Sequence, residues 1–213
     1  MRSMLALAVL AITALAPRAR ALDAKAPGPG WEEAKRTDDL VIFTRDNPKV
    51  GTRDIDAVSE VDAPPAVVFE VVTDFDHYVD FMPYVKESKT AKRLSATELV
   101  VYSLLSPPIV DDRDYYIDVK TTTGSAANQG VYTSAWTSRP SYGPVRDGVV
   151  RVKINTGAWV MEPLDGGKRT RLTYHLSTNP GGSIPTWIAN LSNTKAIPNL
   201  FQAVRKRSVK LAH

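Results

Sequence analysis

The 213-residue chain has no cysteine, which excludes disulfides, thiol nucleophiles, thiolate metal sites and a lipid-modified cysteine anchor together. It has three histidines, His77, His175 and His213, so imidazole-based acid/base or metal chemistry has little material. No apolar run reaches the ~20 residues needed to span a bilayer as a helix. An excess of charge of one sign is nearly absent, with 27 Lys and Arg against 23 Asp and Glu for a net charge of +4. What is present, 43% hydrophobic and 23% charged residues, is the composition of a globular protein and excludes disorder, collagen and coiled coil. The length fits one domain, which at this size buries roughly 70% of its unfolded surface and can enclose a cavity without staples.

Residues 1–21, MRSMLALAVLAITALAPRARA, carry an early Arg2, an apolar run from Met4 to Ala16 and small residues at Ala19 and Ala21. This is the pattern of a cleaved secretory signal peptide, and it predicts a periplasmic or secreted protein. Cleavage after Ala21 removes three of the 27 basic residues and no acid, so the mature chain is close to neutral. A concentrated basic surface for nucleic acid is therefore not expected.

Residues 22–30, with APGPG, read as a flexible arm, and Trp31 to Lys35 as a short helical turn. LVIFTR from Leu40 and RDIDAVSEV from Arg53 read as strands. Asp62-Ala63-Pro64-Pro65 is a helix start, since proline in a first turn lacks an N–H that would be unpaired anyway. From Val85 onward the chain reads as strands: Val85 to Ala91, Glu98 to Leu104, Arg113 to Thr122, Gly130 to Thr137, Val149 to Asn155, Ala158 to Glu162 and Thr170 to Ser177. No gap holds a helix long enough for a parallel crossover, so antiparallel pairing is expected. Ile184 to Lys210 is helical in character, with Pro198 expected to kink or interrupt it. The sum is an α+β domain at 31–213, a curved antiparallel sheet around a long C-terminal helix.

Chemistry-bearing residues are few. His175 alternates with Leu172, Tyr174 and Leu176 and is expected to face solvent; His77 sits among Asp74, Asp76 and Asp80 at a carboxylate-rich helix end. No metal site, cofactor or catalytic residue is expected. Arg113 shares its strand face with Tyr115, Ile117 and Val119, which puts a guanidinium at the end of an apolar surface. Such a group needs a partner, either Asp111 or Asp112 as a structural ion pair or a polar ligand. Tyr102, Thr133 and Tyr174 are candidate polar tips in an apolar chamber, or satisfied core groups. Arg205, Lys206, Arg207 and Lys210 read as a solvated helix face or a contact for anionic lipid.

Four segments carry a resemblance: Asp62 to Asp74; PPIVDDRDY from Pro107 to Tyr115; Gly157-Ala158-Trp159 through Leu164; and Leu172-Thr173-Tyr174 through Trp187. Together they resemble the START domain, the lipid-transfer domain related to the steroidogenic acute regulatory protein, over nearly the whole mature chain. The resemblance implies a helix-grip fold with a hydrophobic tunnel holding one lipid, lined by Arg113, Tyr102, Tyr115, Ile117, Thr133, Tyr174, Trp187, Ile188 and Leu191. It also implies a lid made of Ser106 to Asp112 and the C-terminal helix, with Gly181-Gly182 as joint. Leu99 to Leu105 contains no carboxylate to pair with Arg113, which departs from cholesterol-binding members and leaves Tyr102 or Ser103 as polar substitutes. The function implied is a monomeric, non-enzymatic exported carrier for a lipid or other hydrophobic small molecule, with transient membrane contact. The alternatives are a cavity enzyme of the cyclase or hydratase type, and a binding module whose chamber is filled by side chains.

Overall fold

The structure, a computed structural model, describes residues 22–182 and 195–213. The leader and the stretch 183–194, with Trp187, Ile188 and Leu191, lie outside the described residues. The strands are β1 (Glu32–Arg36), β2 (Leu40–Asn47), β3 (Thr52–Val61), β4 (Val85–Arg93), β5 (Glu98–Leu105), β6 (Arg113–Thr122), β7 (Tyr132–Ser138), β8 (Val150–Arg151), β9 (Ile154–Leu164) and β10 (Arg169–Asn179). Helix α1 (Pro65–Thr73) follows β3 and runs into a 3-10 turn at Phe75–Asp80; helix α2 (Ile197–Ala212) ends the chain. The strands form one curved sheet in the order β1-β2-β3-β10-β9-β7-β6-β5-β4. Every neighbour along it is antiparallel, and only the two-residue β8 lies parallel, beside the start of β6. This is the helix-grip arrangement, in which the sheet's concave face closes on α2.

The continuous apolar run Leu40 to Phe43 has a reason. Leu40 and Ile42 enter the main core, whereas Val41 and Phe43 point the other way and are still buried. They are covered on the outer face by Leu22, Ala24 and Trp31. A strand covered on both faces reads as an apolar run instead of an alternation. The arm expected to be flexible is thus held down. It forms no strand or helix, as its proline and glycine content predicts, but Arg36 donates to the carbonyls of Leu22 and Ala24 at 3.1 Å, and Arg171 to that of Asp23 at 2.8 Å. Composition signals a lack of regular structure, which is not the same as lack of attachment.

Other boundaries also differ from expectation. Trp31 to Lys35 is not helical, because Glu32–Arg36 pairs as edge strand β1 with β2. The segments expected as Val149 to Asn155 and Ala158 to Glu162 are divided differently: β8 is short, and β9 runs unbroken through Gly157 and Pro163. Among the described residues, Pro198 occupies the first turn of α2, where its missing N–H costs little, and the stretch 183–194 before it, on which the expected kink or interruption bears, lies outside the described residues. Helix α1 begins as expected, with Pro64 extended and Pro65 first in the helix, and buries Val68, Val71 and Val72. Helix α2 buries Ile197, Phe201, Val204 and Ser208, spaced by four, three and four residues, which is one helical face. Two contacts orient this helix: Arg207 donates to Asp74 at 3.0 Å, and Arg205 pairs with Asp39.

A candidate lipid-binding cavity

The inward side chains of β6, β7, β9 and β10 do not fill the concavity. A cavity of about 220 Å³ remains between the sheet and the start of α2. Tyr115 and Ile117 of β6, Ser134 and Trp136 of β7, Asn155 and Trp159 of β9 and Tyr174 of β10 form its wall. Phe75, Tyr78, Met82, Tyr84 and Leu105 close one side, and Ile197 and Leu200 the helix side.

Period-two geometry and one glycine arrange this wall. Trp136 stands opposite Gly157 across the β7–β9 ladder. A Cβ at Gly157 would come within 2.5 Å of the Trp136 ring and 2.2 Å of the His175 carbonyl oxygen, so only glycine lets the indole lie flat against β9. The Trp136 indole N–H then donates to Asn155 Oδ1 at 3.0 Å. Tyr174 packs on Trp159 with ring centroids 4.3 Å apart and on Trp136 at 5.8 Å, and Trp159 meets Phe201 of α2 at 5.5 Å. These aromatic contacts link β7, β9 and β10 to α2.

The polar atoms of the cavity are neutral. Tyr78 donates its hydroxyl to the Val72 carbonyl at 2.6 Å. Burial pushes the hydroxyls of Tyr78, Tyr115 and Tyr174 upward in pKa, so all three stay protonated phenols near neutral pH. Ser134 is 1% exposed, and its Oγ has no hydrogen-bond partner among the described residues. Among the described residues, the lining contains no aspartate, glutamate, histidine, lysine or arginine.

Of the residues expected to line a chamber, Tyr115, Ile117 and Tyr174 do so. Arg113 is buried on the same strand face but stands outside the lining. Its guanidinium donates to the Asp111 carbonyl at 3.1 and 3.3 Å and to the Pro180 carbonyl at 3.2 Å. The partner is therefore main-chain oxygen and not the carboxylate of Asp111 or Asp112, and Asp112 is bound instead by Lys86. Desolvation lowers the Arg113 pKa.

Tyr102 and Thr133 are placed away from the cavity, on the opposite face of the sheet. Tyr102 alternates with the inward Val101 and Ser103, donates to Asp114 Oδ2 at 3.3 Å and packs on Tyr116 at 4.8 Å. Its hydroxyl is pushed up to about 12 by burial and the adjacent Asp114 carboxylate. Thr133 shares its face with the exposed Ala135 and Thr137, opposite Ser134 and Trp136. Trp136, Trp159, Ser134 and Asn155 are among the lining residues that sequence reasoning missed. The alternation Tyr132, Ser134, Trp136 against Thr133, Ala135, Thr137 carried that signal, because the aromatic side of a strand is the buried one.

His175 faces outward, half-exposed, as expected, and pairs with the buried Asp56 across the β3–β10 ladder. His77 bonds Asp74 at 2.6 Å, and Asp76 accepts from the Thr90 backbone at 2.7 Å, so the carboxylates of this turn serve local structure. The basic cluster of α2 is divided: Arg205 and Arg207 are paired, while Lys206 and Lys210 are exposed one turn apart.

Fold and cavity together define a START-like domain. Residues 61–205 match the family described as polyketide cyclase/dehydrase and lipid transport, and the chain belongs to that family. It is 27% identical over 202 residues to an uncharacterized protein of Pseudomonas aeruginosa, covering 95% of this chain and 98% of that one. It is 25% identical to human phosphatidylcholine transfer protein, over 82% of both chains. The solved structure of a STAR-related lipid transfer protein fragment from Xanthomonas axonopodis superposes with a TM-score of 0.74 at 26% identity, covering 84% of this chain and 99% of that one.

Proposed function

We propose that this protein is an exported, monomeric carrier that holds one hydrophobic ligand in the cavity between the sheet and α2, and that it is not an enzyme. The observation that carries this reading is the cavity wall: aromatic and aliphatic, with neutral polar atoms only among the described residues. Enclosing a ligand there removes apolar surface from water at about 25 cal/mol per Å². General acid/base catalysis needs a positioned group that changes protonation near the working pH, and phenols raised by burial do not supply one. The phosphatidylcholine transfer relatives support the carrier reading over a cyclase. Cargo exchange then takes place at a membrane, where exposed Lys206 and Lys210 meet anionic headgroups.

The test is native mass spectrometry of the mature protein incubated with a membrane lipid extract. One apolar molecule per chain is the expected result, and it should be lost when Ile117→Trp fills the cavity. A protein that stays empty overturns the reading. Export is checked separately by sequencing the N-terminus after expression in a Gram-negative host: a mature chain beginning at Leu22 outside the cytoplasm is expected, and an intact Met1 chain retained inside contradicts it.

A further inference from the structure

We propose that Arg113 is a positioning residue for ligand exchange, a latch whose buried guanidinium fastens the β5–β6 connection to the end of β10 and acts on a ligand only by holding that connection closed. Its consequence rests on the carrier reading; the latch itself rests on contacts within the protein. Residues 106–112 join β5 to β6, and the chain on either side of them contributes Leu105 and Tyr115 to the cavity wall. One root of the connection is fixed where the Ser106 N–H donates to the Tyr84 carbonyl at 2.8 Å. Arg113 fixes the other. Its Nε and Nη2 donate to the Asp111 carbonyl at 3.3 and 3.1 Å, while Nη1 donates at 3.2 Å to the Pro180 carbonyl, 67 residues further along the chain.

The connection is strained while these roots hold. Ile109 at its tip has a φ of +76°, a region that β-branched side chains seldom adopt. Such a conformation costs on the order of 1–3 kcal/mol and persists only where the surroundings impose it. Ile109 is 76% exposed, so packing does not impose it. The constraint comes from the two fixed roots, with Pro107 and Pro108 stiffening the approach. Breaking the Arg113 bonds therefore lets the connection relax. On the other side of the latch, Pro180 leads into Gly181 and Gly182, both at positive φ, and Gly181 lies against Val150, the β8 residue paired with Arg113. Arg113 thus gathers the starts of β6 and β8 and the end of β10 at one point. It is 6% exposed, and among the described residues no carboxylate bonds it. A buried cation in that position holds its carbonyls firmly, because charge-assisted hydrogen bonds are about twice as strong as neutral ones. Its place outside the cavity lining separates this role from direct ligand contact.

Amide hydrogen exchange by NMR, on the ligand-free mature protein and its Arg113→Met variant, tests the latch. The Ser106 amide, the Val150 amide bonded to the Asp112 carbonyl and the Gly181 amide bonded to Asn179 Oδ1 report on the segments it joins. Measured against the amides of α1, which report overall stability, they should exchange roughly ten- to a hundredfold faster in the variant, as for lost hydrogen bonds to a charged group. Arg113→Lys keeps the charge without the planar fork, should loosen the same amides less, and decides the matter if Arg113→Met does not fold. Unchanged protection in the folded variants overturns the proposal, whether or not a ligand binds. Ligand exchange is read by stopped-flow fluorescence with two probes, uncharged N-phenyl-1-naphthylamine and the carboxylate cis-parinarate. Loss of the latch should raise association and dissociation rates of both probes by a common factor and leave each Kd within about twofold. A selective loss of cis-parinarate affinity overturns the proposal by making Arg113 a ligand contact. Failure of both probes to bind wild-type protein counts against the carrier reading, and hydrogen exchange then decides the latch alone.

Discussion

Asp114 and Tyr115 are neighbours on β6, and they face chemically opposite surroundings. Asp114 points to the outer face, is 1% exposed, and is gripped by Arg151 at 2.7 and 3.0 Å and by the Tyr102 hydroxyl. Arg151 in turn donates to the carbonyls of Pro140 and Pro144 and lies 5.2 Å from the centre of the Tyr116 ring. This cluster staples the long β7–β8 connection over the outer sheet. Tyr115 points inward, to a wall where Ser134 Oγ has no partner among the described residues and space remains open. Paired polar groups fasten chain to chain on the outer face, whereas the inner face leaves open space between its aromatic side chains.

The largest effect is expected where the outer cluster is broken. Asp114→Ala leaves Arg151 buried without its carboxylate and should lower stability by about 3–5 kcal/mol, read from urea unfolding. A loss under ~1 kcal/mol would mean that the β7–β8 connection is held by its aromatic contacts alone. Gly157→Ala attacks the inner wall: its Cβ meets a main-chain oxygen and the Trp136 ring, and overpacking of this kind costs about 1–3 kcal/mol. The displaced indole should also change tryptophan fluorescence and weaken ligand uptake. Ser134→Ala sharpens the contrast by moving in the other direction. Removing an unpaired buried hydroxyl should leave the ligand-free protein as stable as wild type or up to ~1 kcal/mol more so, checked by the same unfolding experiment.

The smallest effect is at His175. Asp56 raises its pKa above the ordinary 6.5, so the folded state favours the protonated form. The stabilisation is complete below the unfolded value of about 6.5 and is lost as pH rises through the higher folded value. Unfolding midpoints at pH 6 and pH 8.5 should therefore fall in wild type relative to His175→Gln. Half-exposure keeps the difference small. An NMR titration midpoint for His175 at or below 6.5 would contradict the pairing.

Legibility in the sequence followed the alternation. On β6 the order Arg113, Tyr115, Ile117, Val119 separates cleanly from Asp114, Tyr116, Asp118, and the inward face was read correctly. On β5 the run LVVYSLL is apolar on both sides, so alternation could not say which way Tyr102 points; the β7–β8 connection buries its outer side as fully as the core buries its inner side. The arm at 22–30 misled for a related reason, since its two buried side chains are too few to make a pattern. They show only once Val41, Phe43 and Val58 are seen beneath them.

The sequence by itself determined the α+β class, the antiparallel pairing of the strands, the proline-led start of α1 and the face to which Arg113, Tyr115 and Ile117 belong. Each of these depends on residues close together along the chain, where dihedral limits and period-two or 3.6-residue geometry act directly. Only the tertiary structure decided that main-chain carbonyls satisfy Arg113, that Tyr102 serves the outer face, and that Trp136 of β7 and Asn155 of β9 meet in a cavity wall. Those outcomes depend on which distant strands become neighbours, and local pattern carries no record of a partner that lies far away in the chain.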